Sequence, residues 1–255
     1  MMLLAENICV RRGARAILDA VSLEAGAGEF IAIVGANGAG KSTLLSILAG
    51  LLQPDSGRIV FKDRPLSQFE GSALARLRAY LPQNPRCEWP ISVERLVALG
   101  LTPTLPTFGG FSAADDARIA RAIETGDLAD HRHQEATSLS GGELARAMLA
   151  RAYVGDPEAL IVDEPIAGLD PRHALDAMRR LKSFANEGKL VIAALHDLTL
   201  AARYTTRVVA MRAGRIESDG PVASTMTTGM IRRVFDVEAR IVGSGEGGYV
   251  DFIGN

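Results

Sequence analysis

The sequence predicts an α/β protein built on a parallel sheet, with strands at the N-terminus and a mainly helical insertion in the middle. Three observations carry this reading. Short, continuously apolar runs, "EFIAIVG" (29–35), "ALIVD" (159–163) and "KLVIAAL" (189–195), have the length and composition of buried strands. Strand, helix, strand in succession closes into parallel pairs through right-handed crossovers. The first run breaks abruptly into "GANGAGKST" (35–43), where a packed core gives no reason to spend so much backbone entropy on glycine.

The elements follow in order. From Met2 to about Gly35 the chain reads as strands, because "AILDAVSLEA" (16–25) alternates loosely and "EFIAIVG" is solidly apolar. A helix runs from Lys41 to about Leu51 and stops at "QPDSG" (53–57), where Pro54 and Gly57 favour a turn. The strand "RIVFKD" (58–63), a helix around "SALARLRA" (72–79) and a second buried strand "AYLP" (79–82) lead to Gln83. Between Asn84 and about Thr137, prolines and glycines surround one short helix and then the helical "SAADDARIARAIETGDLA" (112–129). A helix from about Arg172 to Asn186, ended at Gly188, lies between "ALIVD" and "KLVIAAL". "RVVAMRAGRIESDG" (207–220) reads as a hairpin, "GMIRRVFDV" (229–237) as a short helix and "GSGEGG" (243–248) as a flexible turn.

Composition limits the partners. The 255 residues, 47% hydrophobic and 23% charged, suit one globular unit. With 28 basic against 30 acidic residues, no whole-chain field draws the protein to nucleic acid or an anionic membrane surface, so a phosphate would be bound locally. Cys9 and Cys87 are too few and unpatterned for a disulfide framework or a zinc site. "MMLLAENICVRRG" has no charged segment ahead of its brief apolar stretch, so a signal peptide is not expected and a cytosolic location is. No apolar run approaches the ~20 residues of a membrane-spanning helix. Membrane work would have to go through a partner.

"GANGAGKST" fits G-x-x-x-x-G-K-[ST], the phosphate loop, at Gly35, Gly40, Lys41 and Ser42, and it lies after a buried strand and before a helix. Backbone N–H groups from Gly35 through Ala36, Asn37, Gly38, Ala39 and Gly40 are expected to converge on an anion, helped by the helix dipole. A side chain at Gly38 or Gly40 would block that approach. Lys41 is expected to reach the β and γ phosphates, Ser42 to ligate Mg²⁺ and Thr43 to bond the α phosphate. "ALIVDE" supplies a carboxylate at another strand end, Asp163, for the metal through water, and next to it Glu164 to polarise an attacking water. Together these motifs indicate a nucleoside triphosphatase.

"SLSGGELARAMLARA" (138–152) adds two glycines at an expected helix N-terminus after Ser140, with Leu144, Met148 and Ala152 on one helical face. This is a second anion site. Here the chain resembles the ATP-binding cassette (ABC) family, whose LSGGQ signature is matched from Leu139 to Gly142, with Glu143 replacing Gln. The resemblance implies a P-loop NTPase (RecA-like) core with an antiparallel β subdomain, over 1–84 and 155–255, and a helical subdomain over 85–154 that carries the signature. It implies that Gln83 contacts magnesium and water, that Asp170 in "AGLDP" is the aspartate of the loop after the catalytic strand, and that His196 in "LHDL" holds the γ-phosphate and positions the water. In the family, Ser140, Gly141 and Gly142 of one copy would close over nucleotide on the phosphate loop of another, so two copies sandwich two ATP molecules head to tail. Arg12 stands where the family has an adenine-stacking aromatic, and a guanidinium plane also stacks on a base. Ile166 replaces a usual Thr, a change expected to be neutral.

Within the family, "ISVERLVALG", "LHDLTLAARY" and the compact length resemble the ATPases of importers for iron chelates, haem and cobalamin. Such a subunit docks on multi-span permease subunits at the cytoplasmic face of the membrane and serves a substrate-binding protein indirectly. The alternatives are a single soluble cassette that assembles or remodels another complex, for example in iron-sulfur assembly, and the ATPase of another ABC transporter type. A nucleic-acid-acting cassette is disfavoured, since neither a coiled-coil insert nor a basic patch is present. Trp89 is expected either to contact a membrane partner or to cover the insertion's small core. His131, His133 and His173 are expected to be solvated.

Overall fold

The protein is described by a computed structural model covering residues 1–106, 110–243 and 248–253. The loosely alternating N-terminal stretch forms β1 (Leu3–Arg12) and β2 (Arg15–Ala25), which bury Leu3, Ala5 and Ile8 against Leu18, Val21 and Leu23. The apolar run that follows is β3 (Phe30–Gly35), and the glycine-rich turn opens α1 (Lys41–Leu48). Next come β4 (Ser56–Phe61), β5 (Arg64–Pro65), α2 (Gly71–Leu77) and β6 (Arg78–Leu81). The central insertion holds α3 (Val93–Ala98), α4 (Ala113–Thr125) and α5 (Gly141–Tyr153). The chain continues through β7 (Ala159–Asp163), α6 (Pro171–Asn186), β8 (Leu190–Ala194), α7 (Leu198–Tyr204), β9 (Arg207–Arg212), β10 (Arg215–Pro221), α8 (Val222–Thr225) and α9 (Thr228–Phe235). It ends in β11 (Glu238–Val242) and β12 (Tyr249–Ile253).

Two sheets carry the architecture. An antiparallel sheet has the order β2-β1-β4-β5, and the main sheet has the order β10-β9-β3-β8-β7-β6, parallel except for β10. Because side chains alternate across a strand, β3 turns Phe30, Ala32 and Val34 to one face and Ile31 and Ile33 to the other. The first set joins a core shared with α3 to α7 and α9. The second joins a core with α1 and the antiparallel sheet. β3, β7 and β8, at the centre of the parallel set, are buried along their whole length, as their apolar runs require.

Element ends differ from expectation for local reasons. α1 stops at Leu48 rather than Leu51, because Gly50 turns left-handed (φ +63) while the Leu51 N–H reaches back to the Ser46 carbonyl at 2.8 Å. β4 ends at Phe61, since Lys62 and Asp63 form its turn into β5, both at positive φ. α7, β11 and β12 are additions to the expected set: each is short, and β11 and β12 are stabilised by pairing with each other. Of the expected turn at 243–248, residues 244–247 lie outside those described. Trp89 is 66% exposed, so it does not cover the insertion's core.

Candidate functional site

The parallel order β3-β8-β7 puts three strand ends side by side, and each ends in a residue expected to act. β3 runs into the glycine-rich loop, β7 ends in Asp163 with Glu164 after it, and β8 leads through Leu195 to His196. Ala194 of β8 pairs with Ile33 on one side and Asp163 on the other, which fixes the register of the cluster. Carboxyl ends of parallel strands are where α/β sheets place ligands.

In the loop, the Ala39 N–H closes a turn on the Ala36 carbonyl at 3.1 Å, leaving Ala36, Asn37 and Gly38 exposed. Lys41 is buried, and its Nζ donates to the carbonyls of Gly35 (2.8 Å) and Ala36 (3.2 Å), folding the ammonium across the loop. Burial pulls its pKa down, while Glu164 and Asp163 pull it back up. Ser42 and Thr43 lie in the first turn of α1.

The glycines divide into two kinds. A Cβ on Gly40, at φ +100, would stand 2.8 Å from the Ile17 carbonyl oxygen and from Leu18 of β2. Gly40 is thus demanded by the antiparallel sheet as well as expected for the approach of phosphate. A Cβ on Gly38 would meet only Arg15, 3.6 Å from Nη2. Gly40→Ala is expected to destabilise the protein by about 2–4 kcal/mol, a strained left-handed residue plus a backbone collision. Denaturant unfolding checks this, and a loss below about 0.5 kcal/mol would remove the packing explanation.

Asp163 is 2% exposed, and its Oδ1 has no hydrogen-bond partner. Burial raises its pKa above the ordinary carboxylate value; a Ser42 hydrogen bond opposes this, Glu164 adds to it, and Lys41 and His196 lower it. An orphaned buried carboxylate oxygen beside a serine hydroxyl is a fitting partial ligand set for a hard divalent cation. No cluster of three or more His, Cys, Asp or Glu that could hold a metal occurs among the described residues.

Glu164 has a left-handed backbone (φ +53), and its N–H donates to the Ala194 carbonyl at 3.1 Å. That bond turns its side chain toward His196, whose Nε2 is hydrogen-bonded to Glu164 Oε1. Gln83 is exposed two residues past β6.

The signature residues begin α5. Ser140 caps it: Ser140 Oγ accepts from the Glu143 N–H (3.4 Å), and Glu143 Oε2 accepts from the Ser140 N–H (2.7 Å). Glu143, where the family has Gln, thereby closes a capping box, and these bonds hold its carboxyl below the ordinary range. Gly141 is exposed, and a Cβ on Gly142 would touch Leu169 (3.7 Å) and the Gly168 carbonyl (3.8 Å). A cavity of about 310 Å³, lined among others by Arg86, Gly141, Leu144 and Gly168, separates this turn from Glu164. Asp170 caps α6, its Oδ1 accepting from the His173 N–H at 2.9 Å.

The β1–β2 hairpin brings an arginine to the glycine-rich loop. Arg12 is exposed at the end of β1, paired across the hairpin with Arg15, and it is the Arg15 guanidinium that borders Gly38. Nothing in the local sequence separates the two. Of the histidines, His133 is solvated, with its side chain 82% exposed. His131 is not: Nδ1 lies 2.7 Å from Gln134 Oε1, and Nε2 lies 3.5 Å from Glu143. His173 is held by Asp170 and Asp127 rather than by water.

The sequence pattern of the ABC transporter family matches residues 18–167. A hemin import ATP-binding protein, HmuV, of Bordetella avium is 38% identical over 251 residues, 95% of each chain. A hemin import ATP-binding protein of Thermobifida fusca is 39% identical over 238 residues, 93% of this chain and 83% of that one. Among solved structures, the dimeric post-hydrolysis state of the ATP-binding cassette MJ0796 bound to ADP and Pi is similar at TM-score 0.79 and 25% identity, over 87% of this chain and 99% of that one. An inward-facing conformation described as a metal-chelate type ABC transporter shares the fold at TM-score 0.82 and 21% identity, over 99% and 96% of the two chains. With the phosphate loop, the acidic strand end and the signature helix arranged as described, the chain belongs to the ABC transporter family, as an ATP-binding cassette that hydrolyses ATP.

Proposed function

We propose that this cassette energises an importer for a metal chelate, with haem the leading cargo, through separate membrane subunits. The cargo class is supported by relatives about 38% identical over nearly the whole chain that are named for hemin import. ATP turnover is supported above all by the Glu164–His196 pair beside the unpartnered oxygen of Asp163.

In this reading the chain divides into a core of 1–84 and 155–255 and a helical part of 85–154. Backbone N–H groups from Gly35 to Gly40 hold the β phosphate, Thr43 holds the α phosphate, and Arg12 lies near the base. Lys41 leaves the Gly35 and Ala36 carbonyls for the γ-phosphate oxygens, exchanging two neutral acceptors for charged ones. Mg²⁺, held by Ser42, by Asp163 through water and by Gln83, would neutralise phosphate charge. Glu164 accepts a proton from the attacking water, and His196 orients that carboxylate and the γ-phosphate. Ser140, Gly141 and Gly142 of a second copy, with Asp170 beside them, complete the site head to tail, in keeping with the dimeric state described for MJ0796. Closure of the dimer on ATP then changes the access of the permease, and hydrolysis reopens it. No helix among the described residues is long and apolar enough to cross a membrane, so the path for cargo is assigned to multi-span partners. A substrate-binding protein meets those partners rather than this chain, which works at the membrane's cytoplasmic face.

The test is to capture the Glu164→Gln protein with ATP from detergent-solubilised membranes of its own source and identify what co-purifies. A multi-span membrane protein that, reconstituted with the wild-type chain, takes up hemin in an ATP-dependent way is the expected result. Recovery of soluble proteins alone would replace this reading with that of a remodelling ATPase.

A further inference from the structure

His173 has no part in the mechanism above, yet both of its ring nitrogens are engaged. Nδ1 lies 2.7 Å from Asp170 Oδ2 and Nε2 lies 3.6 Å from Asp127 Oδ2, with the side chain 19% exposed. Two carboxylates, one on the α6 cap and one on the turn after α4, thus face the two ring nitrogens from opposite segments. Arg172 adds a guanidinium here, its Nη2 3.8 Å from Asp127 Oδ2.

Asp127 is itself anchored to the signature helix. It forms the left-handed turn after α4 (φ +52), with its N–H on the Glu124 carbonyl at 3.0 Å. Arg146, which projects from α5, donates through Nε to the Gly126 carbonyl (3.2 Å) and through Nη2 to the Asp127 carbonyl (3.4 Å). A chain of polar contacts therefore runs from Asp170 through His173 and Asp127 to Arg146 and α5, whose first turn holds Ser140 to Gly142. The packing of Leu169 against Gly142 is a separate, apolar route between the same two segments.

We infer that His173 is a positioning residue: by bridging Asp170 to Asp127 it ties the 165–170 loop to the signature helix, so that the two meet a second copy of the chain as one unit. The inference rests on the reading of the protein as a dimerising cassette ATPase. A histidine that served only the start of α6 would need no partner on α4's turn.

Two readouts on the full-length protein test it. In nucleotide-free protein, His173→Ala and Asp127→Asn should each raise amide hydrogen exchange at 165–170 about tenfold, because a local tether is lost while the Asp170 cap on the His173 N–H remains. In ATP turnover, each should lower kcat about tenfold with KM for ATP within about twofold, and the double variant should be no worse than either alone, the signature of residues acting through one contact. Unchanged exchange at 165–170 in Asp127→Asn, or additive losses in the double variant, would overturn the inference. Should His173→Ala fail to fold, the exposed Asp127→Asn change decides alone. Absence of turnover in the wild type would count against the ATPase reading and leave the exchange result to judge the tether.

Discussion

Glu164→Gln is expected to lower ATP turnover about 10²–10⁴-fold, the range for removing a positioned general base, while ATP affinity stays within about threefold. The amide keeps the size of the carboxylate and can still hydrogen-bond to His196 Nε2, but it cannot take a proton from water. Binding persists because Glu164 is not among the groups assigned to hold phosphate: those are the loop N–H groups, Lys41 and Thr43, with His196 at the γ-phosphate. Removing the acid also takes one negative charge away from Lys41 and Asp163, where Glu164 acts on both. Phosphate release and nucleotide titration on the same preparation separate the two effects, and sedimentation should show an ATP-bound dimer that persists. Normal turnover in this variant would remove Glu164 from its role.

Asp163→Asn is expected to act in opposite directions on stability and on activity. Burial disfavours the ionised form of Asp163, so its pKa lies above the unfolded value and the charge costs stability at neutral pH. The neutral isostere removes that cost, and the nucleotide-free variant should be more stable by on the order of 1 kcal/mol. Wild-type protein should gain about 2.7 kcal/mol from Mg²⁺-ATP at a hundredfold excess over Kd. The variant should lose most of the Mg²⁺-dependent part of that gain, together with at least about 10²-fold in turnover. Thermal unfolding with and without Mg²⁺-ATP reads both effects. A variant that is less stable without nucleotide yet fully stabilised by Mg²⁺-ATP would show that Asp163 is structural and that the metal binds elsewhere.

Much of the site is legible in the amino-acid order, because its parts are contiguous. The loop from Gly35 to Thr43, the pair Asp163 and Glu164, and the segment from Ser140 to Gly142 each lie within a few residues, flanked by apolar runs that declare their strands or helix. The reasons behind single residues are less legible. Gly40 is glycine because β2 passes overhead, and β2 precedes it by some twenty residues. Arg15 reaches the loop only because the β1–β2 hairpin folds over it, and neighbouring Arg12 carries the same local signal. His173 reads as solvated because its partner Asp127 lies 46 positions earlier in the chain, in a turn that Arg146 holds in place.

Amino-acid order by itself determined which turn is glycine-rich, which strand ends in an acid and which helix begins with a Ser-Gly-Gly cap. These follow from local sterics, alternation and capping, and none needs a distant partner. Tertiary structure alone decided that Glu164 meets His196, that Asp163 is left with an unpaired oxygen beside Ser42, and that His173 links two segments. Those outcomes depend on parallel pairing of β7, β8 and β3 in one register and on α5 packing near α6. Such long-range contacts are set by burying both faces of the sheet at once, a condition on the whole chain that no short stretch of sequence encodes.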